Sequence, residues 1–251
     1  MDYEQILEQI YSKIISKGDQ VIDIGAHSGR HTKPMVSLVG NEGNIYAFEP
    51  NPGPRKNLEH NVFEAINNGV VCTFPYALSD VIEKTQFIVA DDRPEESGLL
   101  ERQYNGPTTT SEIDVEVITL DSISERIGDN IKFIKIDVEG AEFNVLRGAY
   151  NTIQKNMPFI AFEFGECSYK PYKIQPGDVY DYLTQLNYKV YSILGNQLDR
   201  QQFIMDSKVQ NYWDYIACPN KETKLLESIF KQIHKKPSIM KQILDFFRRA
   251  Q

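Results

Sequence analysis

Four carboxylates stand at or near the ends of apolar runs: Asp23 within Val21 to Ile24, Glu49 after Asn44 to Phe48, Asp137 after Lys132 to Ile136, and Glu163 within Pro158 to Phe164. If those runs are parallel strands, their carboxyl ends share one crevice, which is where open α/β sheets bind ligands. Glu139 and Glu142 follow Asp137 so closely that three acids fall within six residues. Such a cluster costs stability unless something neutralises it, and it supplies proton acceptors. Asp137 and Glu139 are the leading candidates for a general base, with Glu163 and His31 behind them. A divalent metal held by Asp137, Glu139 and Glu163 is the other route, since it would acidify a bound hydroxyl. Glu142 could instead favour the start of the following helix.

The stretch Asp23-Ile-Gly25-Ala-His27-Ser-Gly29 reads as a nucleotide-binding strand-to-helix turn, but not as a dinucleotide site. That site wants a middle glycine against the pyrophosphate, and here the place holds His27. Asp23 would also repel a pyrophosphate. A nucleoside with cationic groups fits better, and S-adenosylmethionine is such a ligand. Glu49, at the end of the second run, stands where a carboxylate accepts hydrogen bonds from both ribose hydroxyls. Taken alone, Glu49 could equally serve the helix start after Asn51-Pro52.

The elements that must position these acids follow from periodicity. Ile6, Leu7, Ile10, Ile14 and Ile15 predict a helix over 2–16, and helix-length segments follow at His31 to Val39 and Lys56 to Ile66. Strand-like runs at 21–24, 45–48, 70–74, 132–137, 158–164, 188–194 and 213–218 alternate with helices, including 141–155 and 178–186. The pattern predicts a mostly parallel seven-stranded α/β sheet with helices on both faces and right-handed crossovers. Alternation breaks between Ser79 and Asp121, where Thr85 to Val89 and Ile113 to Leu120 predict an inserted β-hairpin before strand four. Its long tip, from Asp91 to Ser111, is expected to cover the cofactor side.

At 251 residues, with 41% hydrophobic and 25% charged residues, the chain is a folded α/β domain rather than a disordered one. The expected division is a core over 1–220, carrying the insertion at about 80–120, and a basic amphipathic helical extension over 221–251. Eight Lys or Arg against three acids give that extension +5, so the body before it carries −13 of the net −8. This acidic body argues against a broad nucleic-acid surface. Two apolar stripes, Leu225 to Ile233 and Ile239 to Phe247, are expected to pack on the domain, the alternative being a partner or membrane surface. No apolar run reaches membrane-span length and the first residues lack the features of a secretory signal, so a cytoplasmic location is expected. Cys72, Cys167 and Cys218 suggest neither a disulfide framework nor a zinc site, and Cys72 and Cys218 are expected to be buried.

The ordered motifs Ile22-Asp23-Ile-Gly25-Ala-His-Ser-Gly29, Tyr46-Ala-Phe-Glu49-Pro50, Ala77-Leu-Ser79-Asp80, Thr119-Leu-Asp121 and Ile134-Lys135-Ile-Asp137-Val-Glu139-Gly140-Ala-Glu142 resemble those of the FkbM-like methyltransferases. The resemblance runs from Val21 to about Phe164 and implies a Rossmann-like class I methyltransferase fold using S-adenosylmethionine. It implies that Asp23, Gly25 and Gly29, with Ala26, His27 and Thr32, shape the methionine end, and that Glu49 and Pro50 serve the ribose. Ser79 and Asp80 would lie near the adenine, and Asp137 would face the methyl group. Family members commonly carry Asn where this chain has His27. The resemblance implies O-methylation of a small-molecule hydroxyl, of sugar or glycoconjugate type. Two other readings stand beside it: an RNA or protein methyltransferase docking through the basic tail, and a non-catalytic cofactor-binding subunit. The sequence leaves homo-oligomerisation open.

Overall fold

The computed structural model describes residues 2–235. Seven strands form the main sheet: β1 Gln20–Ile24, β2 Asn44–Phe48, β3 Val71–Phe74, β7 Ile131–Ile136, β8 Phe159–Glu163, β9 Tyr188–Ser192 and β10 Asp214–Pro219. Their order is β3-β2-β1-β7-β8-β10-β9. All neighbours are parallel except β10, which runs antiparallel to both β8 and β9. The chain leaves β1 towards β2 and β3 on one side and returns with β7 on the other. The two therefore part at a topological switch point, where a crevice opens at the strand ends.

Three further strands form a smaller sheet in the order β4-β6-β5: β4 Tyr76–Leu78, β5 Glu83–Ala90 and β6 Thr110–Ile118. β5 and β6 are the expected antiparallel hairpin, paired from Glu83–Val117 to Ala90–Thr110, and they precede the fourth strand of the main sheet. The three-residue strand β4 joins β6 in parallel and is too short to show a sequence period. Ala77, Phe87, Val115 and Val117 form a separate small core beneath this sheet.

The main core is one apolar cluster drawn from both sheet faces, and it includes Leu7, Ile10, Tyr11 and Ile14 of the first helix, Tyr3–Ile14. Asp2 caps that helix by accepting from the Gln5 N–H at 3.2 Å. Two segments that read as single helices are each divided. One becomes Pro52–Asn61 and Phe63–Asn67, the other Glu142–Gly148 and Tyr150–Asn156. The second division has a cause in Asp121, whose carboxylate accepts from the N–H groups of Asn151 and Thr152 at 2.9 Å each and so starts a new helix. Helix Arg200–Val209 lies in a stretch without a clear sequence period.

Helix Thr223–Lys235 buries Leu226, Ile229 and Phe230 and lies against the first helix. The stripe Ile239 to Phe247 lies outside the described residues. Among the described residues no helix is long and apolar enough to cross a membrane. Cys218 is buried as expected, but Cys72 is exposed, because β3 is the edge of the sheet and turns that side chain outward.

Candidate active site

The ends of β1 and β7 are held together by backbone. Gly25 has φ +78°, and a Cβ there would collide with the carbonyl oxygen of Asp137. The Asp137 N–H donates to the Ile24 carbonyl at 2.9 Å, while the Gly25 and Ala26 N–H groups donate to Phe48 O at 3.0 and 2.9 Å. Three strand ends thus meet at one point, and a cavity opens above them. Its wall includes Asp23, Gly25, Ala26, His27, Glu49, Pro50 and Asp137, with His31, Glu4, Lys135 and Glu139 at the same opening.

Asp23 is 1% exposed. Its Oδ2 accepts from Thr32 Oγ1 at 2.6 Å, and its Oδ1 is buried with no partner. A buried carboxylate oxygen without a donor is costly, which marks it as a seat for a ligand donor. Glu49 accepts from the backbone N–H of His27 and of Asn51, at 2.8 Å each. Burial nonetheless pushes its carboxyl up to about 7. His27 stands at φ +46°, in the left-handed region that asparagine enters more readily. Burial lowers the His27 imidazole below its ordinary range.

The expected carboxylates assemble beside this cavity. Asp137, Glu139 and Glu163 each offer an oxygen, and the three oxygens lie within 4.8 Å of one another. Two cations divide the charge. Lys135 Nζ donates to Asp137 Oδ2 at 3.0 Å, and Arg102 pairs with Glu139 Oε2. Burial alone would lower the Lys135 ammonium, but the Asp137 and Asp23 carboxylates hold it above the usual lysine range. Burial and then the Asp137 charge push the Glu139 and Glu163 carboxyls well above the ordinary carboxylate range. Asp214, paired with Glu163 across β8 and β10, is raised by burial to about 7.

Glu142 stands in the first turn of helix Glu142–Gly148, where its charge is expected to favour the helix start, but its hydrogen bonds go to the turn before it. Its Oε1 accepts from the N–H groups of Val138 and Gly140, at 3.1 and 3.0 Å, and holds the turn that carries Glu139 at φ +56°.

Several candidates lie elsewhere. Gly29 packs on Leu58 and Thr32 braces Asp23, so both shape the turn without lining the cavity. Ser79 and Asp80 do not line it: Asp80 is drawn away by Arg147, and the Ser79 backbone lies against Gly148. The neighbouring Tyr76, Ala77 and Leu78 line the cavity in their place. His31 has both ring nitrogens engaged, Nε2 by Glu4 at 2.5 Å and Nδ1 by Tyr11 at 3.4 Å, which leaves none free to take a substrate proton.

The insertion's tip, expected from its length and place to cover the cofactor side, supplies lining residues that no motif singled out individually. Pro94, Glu95, Ser97 and Leu99 line the cavity from the hairpin tip. The tip folds back on β5 through Ile88 and Gly98, and the following arm docks through Leu100 N–H to Tyr172 Oη at 3.0 Å and Gln103 N–H to Cys167 O at 3.2 Å. Arg102, from this arm, reaches Glu139 and Cys167 and stacks 5.8 Å from the Trp213 ring.

A family model described as the methyltransferase FkbM domain matches residues 23–190. The hexuronic acid methyltransferase AglP of Haloferax volcanii is 28% identical over 153 residues, which is 60% of this chain and 58% of that protein. The crystal structure of methyltransferase FkbM from Methylobacillus flagellatus superposes with a TM-score of 0.50 at 15% identity, over 86% of this chain and 55% of that one, a likeness of fold. The chain therefore spans a little over half the length of the relatives it matches. With a match over more than half its residues and a sheet of this order, the chain has the Rossmann-like class I methyltransferase fold and belongs to the FkbM methyltransferase domain family.

Proposed function

We propose that the protein is an S-adenosylmethionine-dependent O-methyltransferase acting on a hydroxyl of a sugar-containing small molecule. The observation that carries this reading is the meeting of Asp23, Glu49, Asp137 and Glu139 around one cavity. The donor fits the residues present: Asp23 Oδ1 lacks a hydrogen-bond donor, Glu49 offers a fixed carboxylate for vicinal hydroxyls, and Gly25 and Ala26 line the same cavity. When bound, S-adenosylmethionine supplies an electrophilic methyl group on sulfur. A hydroxyl attacks it well only as its proton leaves.

Glu139 is the proposed proton acceptor, because burial beside Asp137 makes it a stronger base than an exposed carboxylate. Asp137, paired with Lys135 and open to the cavity, holds the acceptor hydroxyl in line. The sugar assignment is supported by the relative named a hexuronic acid methyltransferase. The test is transfer of labelled methyl from S-adenosylmethionine to a panel of hexuronic acid and neutral sugar glycosides. Product from a sugar, with about a hundredfold loss in Glu139→Gln and unchanged S-adenosylhomocysteine affinity, supports the reading. Absence of S-adenosylhomocysteine binding removes it.

The spacing of Asp137, Glu139 and Glu163 favours a second reading, in which a divalent cation among them acidifies the hydroxyl. Loss of turnover in EDTA and its return with Mg²⁺ would select this route, and full turnover in EDTA would reject it.

A further inference from the structure

The insertion and the loop after β8 close on the turn that carries Glu139. Gly98 of the hairpin tip lies so near that a Cβ on it would stand 3.4 Å from the Glu139 Cβ. On the other side, a Cβ on Gly140, at φ +112°, would collide with the Ser168 carbonyl oxygen and the Tyr172 ring. Tyr172 Oη also accepts from the Leu100 N–H at 3.0 Å, so one side chain meets both the turn and the arm.

The two oxygens of Glu139 are placed unequally. Oε2 accepts from Arg102 Nη1 of the arm and from Ser168 Oγ at 3.4 Å. Oε1 has no hydrogen-bond partner among the described residues and, unlike Glu142 Oε2, keeps open surface where Glu139 lines the cavity. Arg102 is itself held: its side chain is 8% exposed, its Nη2 donates to Cys167 Sγ at 2.7 Å, and its guanidinium lies 5.8 Å from the centre of the Trp213 ring. A carboxylate fixed at one oxygen loses the rotation that would exchange the two.

We infer that the arm and the Ser168 loop clamp Glu139 by Oε2 and so aim Oε1 at the acceptor hydroxyl, which makes Arg102 and Ser168 positioning residues for methyl transfer. The inference rests on Glu139 as the proposed proton acceptor and names the oxygen that takes the proton. As the hydroxyl oxygen bonds to the methyl carbon, its proton passes to Oε1 and the carbon–sulfur electron pair stays on sulfur. Fixing that oxygen matters, because a misplacement of about 1 Å can cost about a hundredfold in rate. The insertion is then part of the catalytic apparatus as well as a cover.

A double-mutant cycle tests the clamp. Arg102→Met should lower kcat for a hexuronic acid glycoside about tenfold or more, while S-adenosylhomocysteine affinity, read by calorimetry, stays within about threefold of wild type. In the Glu139→Gln background the same substitution should cost less than about twofold, since no base is left to aim. Urea unfolding of the four proteins reads the contact without activity, and the two stability losses should overlap rather than add. Ser168→Ala runs the same cycle if Arg102→Met does not fold. Losses in kcat that multiply mean that Arg102 acts on the arm alone and overturn the clamp, as does an unchanged kcat in Arg102→Met. A Glu139→Gln protein as fast as wild type, or a wild type that methylates no glycoside, removes the functional reading itself, an outcome distinct from both.

Discussion

Gly25 and Asp137 touch through backbone: the left-handed Gly25 presents its Cα to the Asp137 carbonyl so closely that no side chain fits between them. The contact ties the turn expected to hold the methyl donor to the turn that carries the carboxylate cluster. The two turns are therefore parts of one backbone junction, so the proposed donor site and the proposed base cannot shift independently.

Gly25→Ala should break this junction. The added Cβ meets backbone, which cannot swing aside as a flexible side chain would, and the residue must also hold φ +78°. The left-handed conformation alone costs about 1–2 kcal/mol, and the collision adds to it. Urea unfolding should show a loss of at least about 2 kcal/mol, and calorimetry should show S-adenosylhomocysteine binding abolished. An unchanged affinity would mean the turn does not face the donor.

The parts of this site that were legible in the sequence are those set by local chain geometry. Asp23, Glu49, Asp137 and Glu163 lie at or next to strand ends, and a parallel sheet brings such positions together whatever the loops do. Ser79 and Asp80 stand outside the cavity lining for a long-range reason, since Asp80 answers to Arg147, 67 residues away. Arg102 left no signal because it sits in an aperiodic polar arm, and its partners Glu139, Cys167 and Trp213 come from three other segments. Glu4 reads as the exposed face of an amphipathic helix until the fold sets it beside His31.

Arg102→Met should loosen the arm. The guanidinium is nearly buried, neutralises Glu139 and joins the arm to the Cys167 loop, so its loss leaves a raised carboxyl without its cation. Protonation of Glu139 relieves part of that cost, and a net loss of about 1–3 kcal/mol is expected. Limited proteolysis should cut faster within residues 99–109 than in the wild type. Arg102→Lys should restore little, because an ammonium cannot span Glu139, Cys167 and the Trp213 ring together. Proteolysis at the wild-type rate in both variants would show that the arm is held by its backbone bonds alone.

Glu139→Gln and Glu142→Gln should separate chemistry from bracing. Glu142→Gln keeps an oxygen for the Val138 and Gly140 N–H groups, so turnover and donor affinity should both stay within about threefold of wild type. Glu142→Ala removes that acceptor and should lower the unfolding free energy by about 1–3 kcal/mol, seen in urea titration. Glu139→Gln should show the larger turnover loss together with a stability loss of about 1–3 kcal/mol, because the amide leaves the buried Arg102 guanidinium without its anion. The reverse ranking of the two glutamine variants would exchange their roles.

Stability and donor binding should respond to pH in opposite directions. Burial raises Glu49, Glu142 and Asp214 to about 7 in the folded protein, above their ordinary carboxylate range. Between about pH 4.3 and 7 the folded state keeps protons that the unfolded chain has released, so this contribution is whole below that window and is lost as pH rises through 7. Each such group lowers the unfolding free energy by up to about 1.4 kcal/mol per pH unit across the window, and Tm should fall from pH 5 to pH 8. Ribose hydroxyls, in contrast, need the ionised Glu49, so S-adenosylhomocysteine should bind more tightly as pH rises through 7. Glu49→Gln should weaken binding and flatten its pH dependence, because the amide neither titrates nor accepts at both positions. Scanning calorimetry and isothermal titration over pH 5 to 8 read the two trends separately. A Tm that rises with pH would contradict the burial-driven shifts, and affinity that falls with pH would remove Glu49 from the ribose.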